Sequence, residues 1–292
     1  MRFDSFHPMI NLIYFVGAIT CTICFQHPIF AVISFLCAFT YSVKLNRYKS
    51  LVLNLVLIIL AAVYALWYSY YNHFGVTNLK MNFIGNQITL EALVYGSVRA
   101  IIVITVIMWF VCIFTLITAD KIVYLFGRIS PKASLFLSIL LRTIPRIKAR
   151  AKRIEISRKG IGKGIGQGSL LDKVFHVFAL ISILITWTME DFVESSNSMK
   201  SRGYSLKGRT AFSIYRFDNR DRGIVIAFFI CLTFVMMAVL FNQTNVYYNP
   251  QIVMNRITVV SGVFYVAYAI FLLMPLGLQI IGEWRFDRQK TI

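Results

Sequence analysis

With 292 residues, 58% of them hydrophobic and only 14% charged, the chain is too apolar for a soluble domain and reads as an integral membrane protein. Thirty Lys and Arg against 12 Asp and Glu leave a formal charge of +18. That excess suits nucleic acid or an anionic lipid surface; cytoplasmic orientation of the bases accounts for much of it, but hardly for two arginine motifs at the ends of amphipathic helices.

The first apolar run, 11–25, follows a single base, Arg2, and is read as a retained membrane segment, because nothing resembles a cleavable signal. It is joined to a second run, 29–43, by Gln26-His27-Pro28. Both are short against the ~20 residues a full crossing needs. Lys44, Arg47 and Lys49 follow, then a clear span at 51–70. A polar stretch, 71–95, carries Asn72, Asn78, Asn82 and Asn86, with Lys80 and Glu91 as its only charges. A fourth span covers 98–118, a fifth 223–241 and a sixth 257–281, and Arg285, Arg288 and Lys290 lie near the C-terminus. With the N-terminus inside, every base-rich loop falls on the cytoplasmic side and every base-poor loop outside, so both termini are expected in the cytoplasm. The fold class expected is an all-α integral membrane protein. It has about six transmembrane helices and a cytoplasmic or interfacial coupling domain of long amphipathic helices. Three regions follow: transmembrane segments at 1–121, coupling helices at 122–222 and transmembrane segments at 223–292.

The middle region holds the charge. Ten bases lie between Arg142 and Lys173 against Glu155 and Asp172, and seven between Lys200 and Arg222 against Asp218 and Asp221. Residues 134–156 read as a helix that is greasy first and basic later, with a kink or break expected at Pro145. Residues 170–202 read as a second long helix stopped by Gly203. Helices apolar at one end and charged at the other suit the membrane surface. Between them runs Gly160-Ile161-Gly162-Lys163-Gly164-Ile165-Gly166-Gln167-Gly168. No Ser or Thr follows Lys163 and no strand precedes it, so a phosphate loop is rejected in favour of a flexible linker.

Each helix ends near an arginine beside a small residue: Ser157-Arg158-Lys159 and Ser201-Arg202-Gly203. A guanidinium with a small neighbour can enter a groove and bind carboxylates or backbone carbonyls through a planar fork. Other chemistry finds little support. The five cysteines all sit in apolar runs, and the Cys21–Cys24 pair has no second pair beside it, so they read as packing residues. His7, His27, His73 and His176 are scattered and form no metal-binding spacing. No cofactor, metal site or catalytic residue is expected. Glu190, Asp191 and Glu194 form an acidic group where the helix leaves its apolar part, a rival metal or proton site. Docking of anionic lipid or RNA by the basic middle is a rival of another class, and a self-contained ABC permease a third, disfavoured because few polar residues lie within the spans.

Arg142-Thr143-Ile144-Pro145, Arg153-Ile154, Ser157-Arg158, Met199-Lys200-Ser201-Arg202-Gly203-Tyr204 and Arg209-Thr210, with His7-Pro8 and Pro28 near the start, resemble the transmembrane T component of energy-coupling factor (ECF) transporters. The layout agrees over most of the chain, and the motifs lie between about 128 and 210. The first motif departs from the family's Ala-Arg-Gly, with glycine displaced to Gly160. The resemblance implies a non-catalytic subunit of a prokaryotic cell membrane. Its partners would be two cytoplasmic ABC-type ATPases, a small substrate-binding membrane subunit and the bilayer, with no nucleic acid. Arg158 and Arg202 would enter grooves on the ATPases, Ser157, Lys159, Ser201 and Gly203 would shape those ends, and Pro145 would bend the first coupling helix. The cargo implied is a vitamin or a metal ion.

Overall fold

In the computed structural model, residues 3–81, 87–204, 206, 215 and 217–290 are described; Asn82, Asn86, Arg209 and Thr210 of the sequence reading lie outside them. These residues fold as two units, one made of 1–118 with 215–292 and the other of 119–214. The first and last thirds of the chain therefore share one packed unit.

That unit contains α1 (Pro8–Cys24), α2 (Pro28–Asn46), α3 (Tyr48–Tyr71) and α4 (Leu90–Leu116). Between α3 and α4 lies an antiparallel hairpin of β1 (Asn78–Met81) and β2 (Gln87–Thr89), an addition to the all-helical class expected. The second unit holds α5 (Ala119–Ile129), α6 (Pro131–Gly160) and α7 (Leu170–Ser201). The chain then returns to the first unit as α8 (Asn219–Leu240) and α9 (Val259–Lys290).

Among the described residues six helices are long and apolar enough to cross a membrane: α2, α3, α4, α7, α8 and α9. The number matches the sequence reading, but the membership differs. At 17 residues α1 falls short, and α7, expected at the surface, qualifies instead. The reason is compositional. Between Leu170 and Met189 apolar residues occupy most of the circumference of α7, and charge is confined to Asp172 and Lys173 in its first turn.

Helices α1 and α2 begin alike. His7 and His27 precede Pro8 and Pro28, and each imidazole Nδ1 accepts a backbone N–H two residues on, from Met9 at 3.2 Å and Ile29 at 3.3 Å. Proline at the first helical position needs no donor there, and the histidine satisfies the next orphan N–H. α2 is central, packed against α1, α3, α4 and α9. The core is aromatic. Trp109, Tyr14, Tyr41, Tyr268, Phe15 and Phe30 are almost wholly buried, and Tyr14 stacks on Phe228 at 5.4 Å. Several of its polar atoms are joined. Thr22 and Ser34 share a 2.8 Å hydrogen bond, Trp109 Nε1 donates to Ser34 Oγ at 3.4 Å, and the Tyr14 hydroxyl donates to the Leu272 carbonyl at 2.8 Å. Pro275, three residues on, lacks the N–H that would meet the Phe271 carbonyl in the α9 ladder.

The two ends of the bundle are distinct. At one end of α2, Lys44 pairs with Glu283 of α9 at 2.6 Å, next to Arg47 and Lys49. At its other end the Tyr248 hydroxyl, from the α8–α9 loop, donates to the Gln26 carbonyl at 2.9 Å.

Candidate functional site

The basic middle becomes a short amphipathic helix, α5, and two long ones. The α5–α6 corner is held by Ser130, whose hydroxyl accepts from Ala133 N–H at 3.4 Å, and by Ser134, which donates to the Val123 carbonyl at 3.0 Å. α6 then runs as one helix through Pro145, so the break considered from sequence does not occur there. Pro145 cannot donate to the Leu141 carbonyl, and Ile144 and Pro145 face outward.

α6 and α7 are linked by an ion pair between Arg150 and Asp191. Around it Arg153, Trp187 and Glu190 line an open cavity of about 300 Å³. The hydrogen bond that Arg150 donates to the Asp191 carboxylate raises the Arg150 pKa above its ordinary value. Arg150 stands ten residues before the end of α6 and Asp191 ten before the end of α7. At 1.5 Å per residue, each helix reaches about 15 Å past the pin.

Both ends close with the same backbone device. In α7, Gly203 has φ +76°, its N–H donates to the Lys200 carbonyl at 3.0 Å, and Tyr204 N–H donates to Met199 at 3.1 Å. In α6, Gly162 has φ +76°, its N–H donates to Lys159 at 3.2 Å, and Lys163 N–H donates to Arg158 at 2.9 Å. Each is a Schellman closure, in which a left-handed residue turns the chain and satisfies the last carbonyls. The glycine that stops α6 is therefore Gly162. Gly160, matched to Gly203 in the sequence reading, is still helical.

This register separates the two arginines. Arg202 stands immediately before its left-handed glycine, is exposed, and makes no side-chain hydrogen bond among the described residues. Arg158 lies four residues before Gly162, is half-buried, and its Nε donates to the Lys163 carbonyl at 3.3 Å. It thereby clasps the residue whose N–H it receives. Both serines bond back into their own helices, Ser157 to the Arg153 carbonyl at 3.1 Å and Ser201 to Ser198 at 2.9 Å, which leaves the arginine flanks uncrowded. Lys159 is exposed beside them. Among the described residues no hydrogen bond or ion pair joins Ser157-Arg158-Lys159 to Ser201-Arg202-Gly203.

The glycine linker is built of specific turns. Gly164 N–H donates to Gln167 Oε1 at 3.0 Å, and Ser169 and Asp172 form a reciprocal capping box at the start of α7. Asp191 of the acidic trio is engaged by Arg150, and no group of three potential ligands is placed to hold a metal among the described residues. The sequence reading missed the Arg150–Asp191 pin.

No protein-family model matches the chain, and no curated protein matches it either.

Proposed function

We propose that the chain is the non-catalytic membrane coupling subunit of an ATP-driven uptake transporter of the ECF type. It would join two cytoplasmic ABC-type ATPases to a small substrate-binding membrane subunit that carries a vitamin or a metal ion. The observation that carries this reading is the pair of long helices pinned at Arg150–Asp191, each reaching about 15 Å further to a glycine-closed end bearing an arginine. Two protruding, positively charged tips joined by one pin suit the transmission of a movement between two soluble domains and a membrane partner. Arg202, exposed at the very turn of α7, is the stronger docking residue. Arg158 must release Lys163 to reach a partner, or dock through its two terminal nitrogens. The apolar length of α7 from Leu170 to Met189 has few contacts within the protein and would face lipid or the substrate-binding subunit.

The test is affinity purification of the tagged full chain from native membranes in mild detergent, with co-purifying chains identified by mass spectrometry. One or two ABC ATPases with a small hydrophobic subunit are expected. Their absence, under conditions that keep other membrane complexes intact, refutes the proposal and leaves the basic tips to an anionic lipid surface.

A further inference from the structure

Away from the tips, the first unit carries a second concentration of chemistry. It lies where α1, α3 and α8 end and α4 begins. Tyr95 of α4 is the hub: its ring centroid lies 5.5 Å from that of Tyr68, 5.7 Å from Phe74 and 5.3 Å from Tyr248. With Gln26 and Asn249 these rings line an open cavity of about 320 Å³. That size lies at the lower end of the range for small-ligand sites. The side-chain amides of Gln26 and Asn249 and the hydroxyl of Tyr68 make no hydrogen bond among the described residues, so the wall offers several unused donors.

One turn further into α4 stands Arg99, half-buried and about 14 Å along an apolar helix from its first residue. Its Nε donates to the Tyr95 hydroxyl at 3.0 Å, and its guanidinium carbon lies 5.2 Å from the Tyr95 ring centre. Its other N–H groups find no acceptor among the described residues. Glu91, two turns back on the same helix, is engaged by the Thr77 hydroxyl at 2.7 Å and by its backbone N–H. A guanidinium inside an apolar helix without a carboxylate calls for an anionic partner, since uncompensated charge at such depth is costly.

We propose that the tyrosine-lined pocket and Arg99 bind the headgroup of an acidic phospholipid, with the phosphodiester on Arg99 and the Tyr95 hydroxyl and the polar alcohol on Gln26 and Asn249. The lipid is favoured over a free solute because one wall belongs to α3. That helix is mostly exposed and apolar, and it presents Trp67 and Tyr71 beside Tyr68 as an interfacial aromatic band. A quaternary ammonium ligand is disfavoured, because the aromatic wall has a fixed positive charge behind it and no carboxylate lines the cavity. This inference is independent of the coupling role.

For the test, the full chain is purified in detergent, delipidated, washed at ~0.5 M salt to strip lipid from exposed bases, and titrated with phosphatidylglycerol or phosphatidylcholine. Bound lipid is counted by native mass spectrometry. One phosphatidylglycerol is expected to be held about tenfold more tightly than phosphatidylcholine. Arg99→Gln should abolish that preference, and Arg146→Gln, which removes an exposed base on α6, should leave it intact. Tyr95→Phe keeps the ring, removes the acceptor of Arg99 and should weaken the preference about threefold, which keeps the test decisive if Arg99→Gln does not fold. Equal binding of both lipids, a preference unchanged in Arg99→Gln and Tyr95→Phe, or an equal loss in Arg146→Gln overturns the site. Displacement of the lipid by soluble glycerol phosphate would reassign the pocket to a free phosphate ester and overturn the lipid reading.

Discussion

Two glycines only two residues apart, just after the first arginine motif, should respond to the same substitution with opposite sign. Gly160 is the last helical residue of α6, and a Cβ added there meets nothing within 4 Å. Alanine is the better helix former by up to ~1 kcal/mol in a helix interior, and somewhat less at a terminus, so Gly160→Ala should firm the last turn. Gly162 also has open space around its missing Cβ, but its φ is +76°. A side chain in that conformation costs about 1–2 kcal/mol. Gly162→Ala should therefore raise local opening of the α6 end by about 5- to 30-fold, without any steric clash. Hydrogen exchange on the full chain in detergent reads this at the amides of Gly162 and Lys163, which close onto Lys159 and Arg158. Protection should rise in Gly160→Ala and fall in Gly162→Ala, and the far ends of α6 and α7 should not change. If Gly160→Ala is the variant that opens the end, Gly160 is the true counterpart of Gly203 and the register assigned to Arg158 is wrong.

On the proposed coupling role, Arg202→Ala should weaken retention of the proposed ATPases by about 2–4 kcal/mol, the scale of a truncated interface arginine, and Arg202→Lys should rescue poorly because it loses the planar fork; unchanged co-purification of ATPase in both variants contradicts the docking role. His27 caps α2 only while its Nδ1 is unprotonated, and burial lowers its pKa below the ordinary value of about 6.5. Its stabilising contribution is thus complete above about pH 6.5 and is lost as the pH falls through the lowered pKa. His27→Asn, a capping residue without that titration, should flatten the acid side of the thermal-stability profile in detergent, and an unaltered profile would refute the cap. Tyr14→Phe removes a buried hydrogen bond to the Leu272 carbonyl and should cost about 1 kcal/mol in thermal unfolding; a neutral result would mean that the carbonyl is satisfied without it.

What the sequence revealed and what it hid divide along physical lines. The two long helices of the middle region were legible because their signals are local: Ser169 with Asp172 as a capping box, Gly203 after the last helical residue, and apolar runs of helical length. The class of α7 was harder, because a sequence of greasy and charged halves fits both a surface helix and a span, and the all-round apolar run from Leu170 to Met189 is what lets it qualify to cross. The stop of α6 was misplaced because Gly160 and Gly162 are chemically identical, and only φ separates them. The Arg150–Asp191 pin and the Tyr95–Arg99 cluster were invisible for another reason. Each depends on long-range packing or on side-chain direction, which composition and spacing do not encode. The pin bears on the function proposed. If α6 and α7 move as one lever, Arg150 and Asp191 must stay paired through the movement. If they move against each other, the pair must break. A double-mutant cycle of Arg150→Ala and Asp191→Ala separates the two cases. A coupling energy seen in stability but absent from nucleotide-driven transport means that the pin only assembles the helices. One that appears in transport means that the lever turns on it.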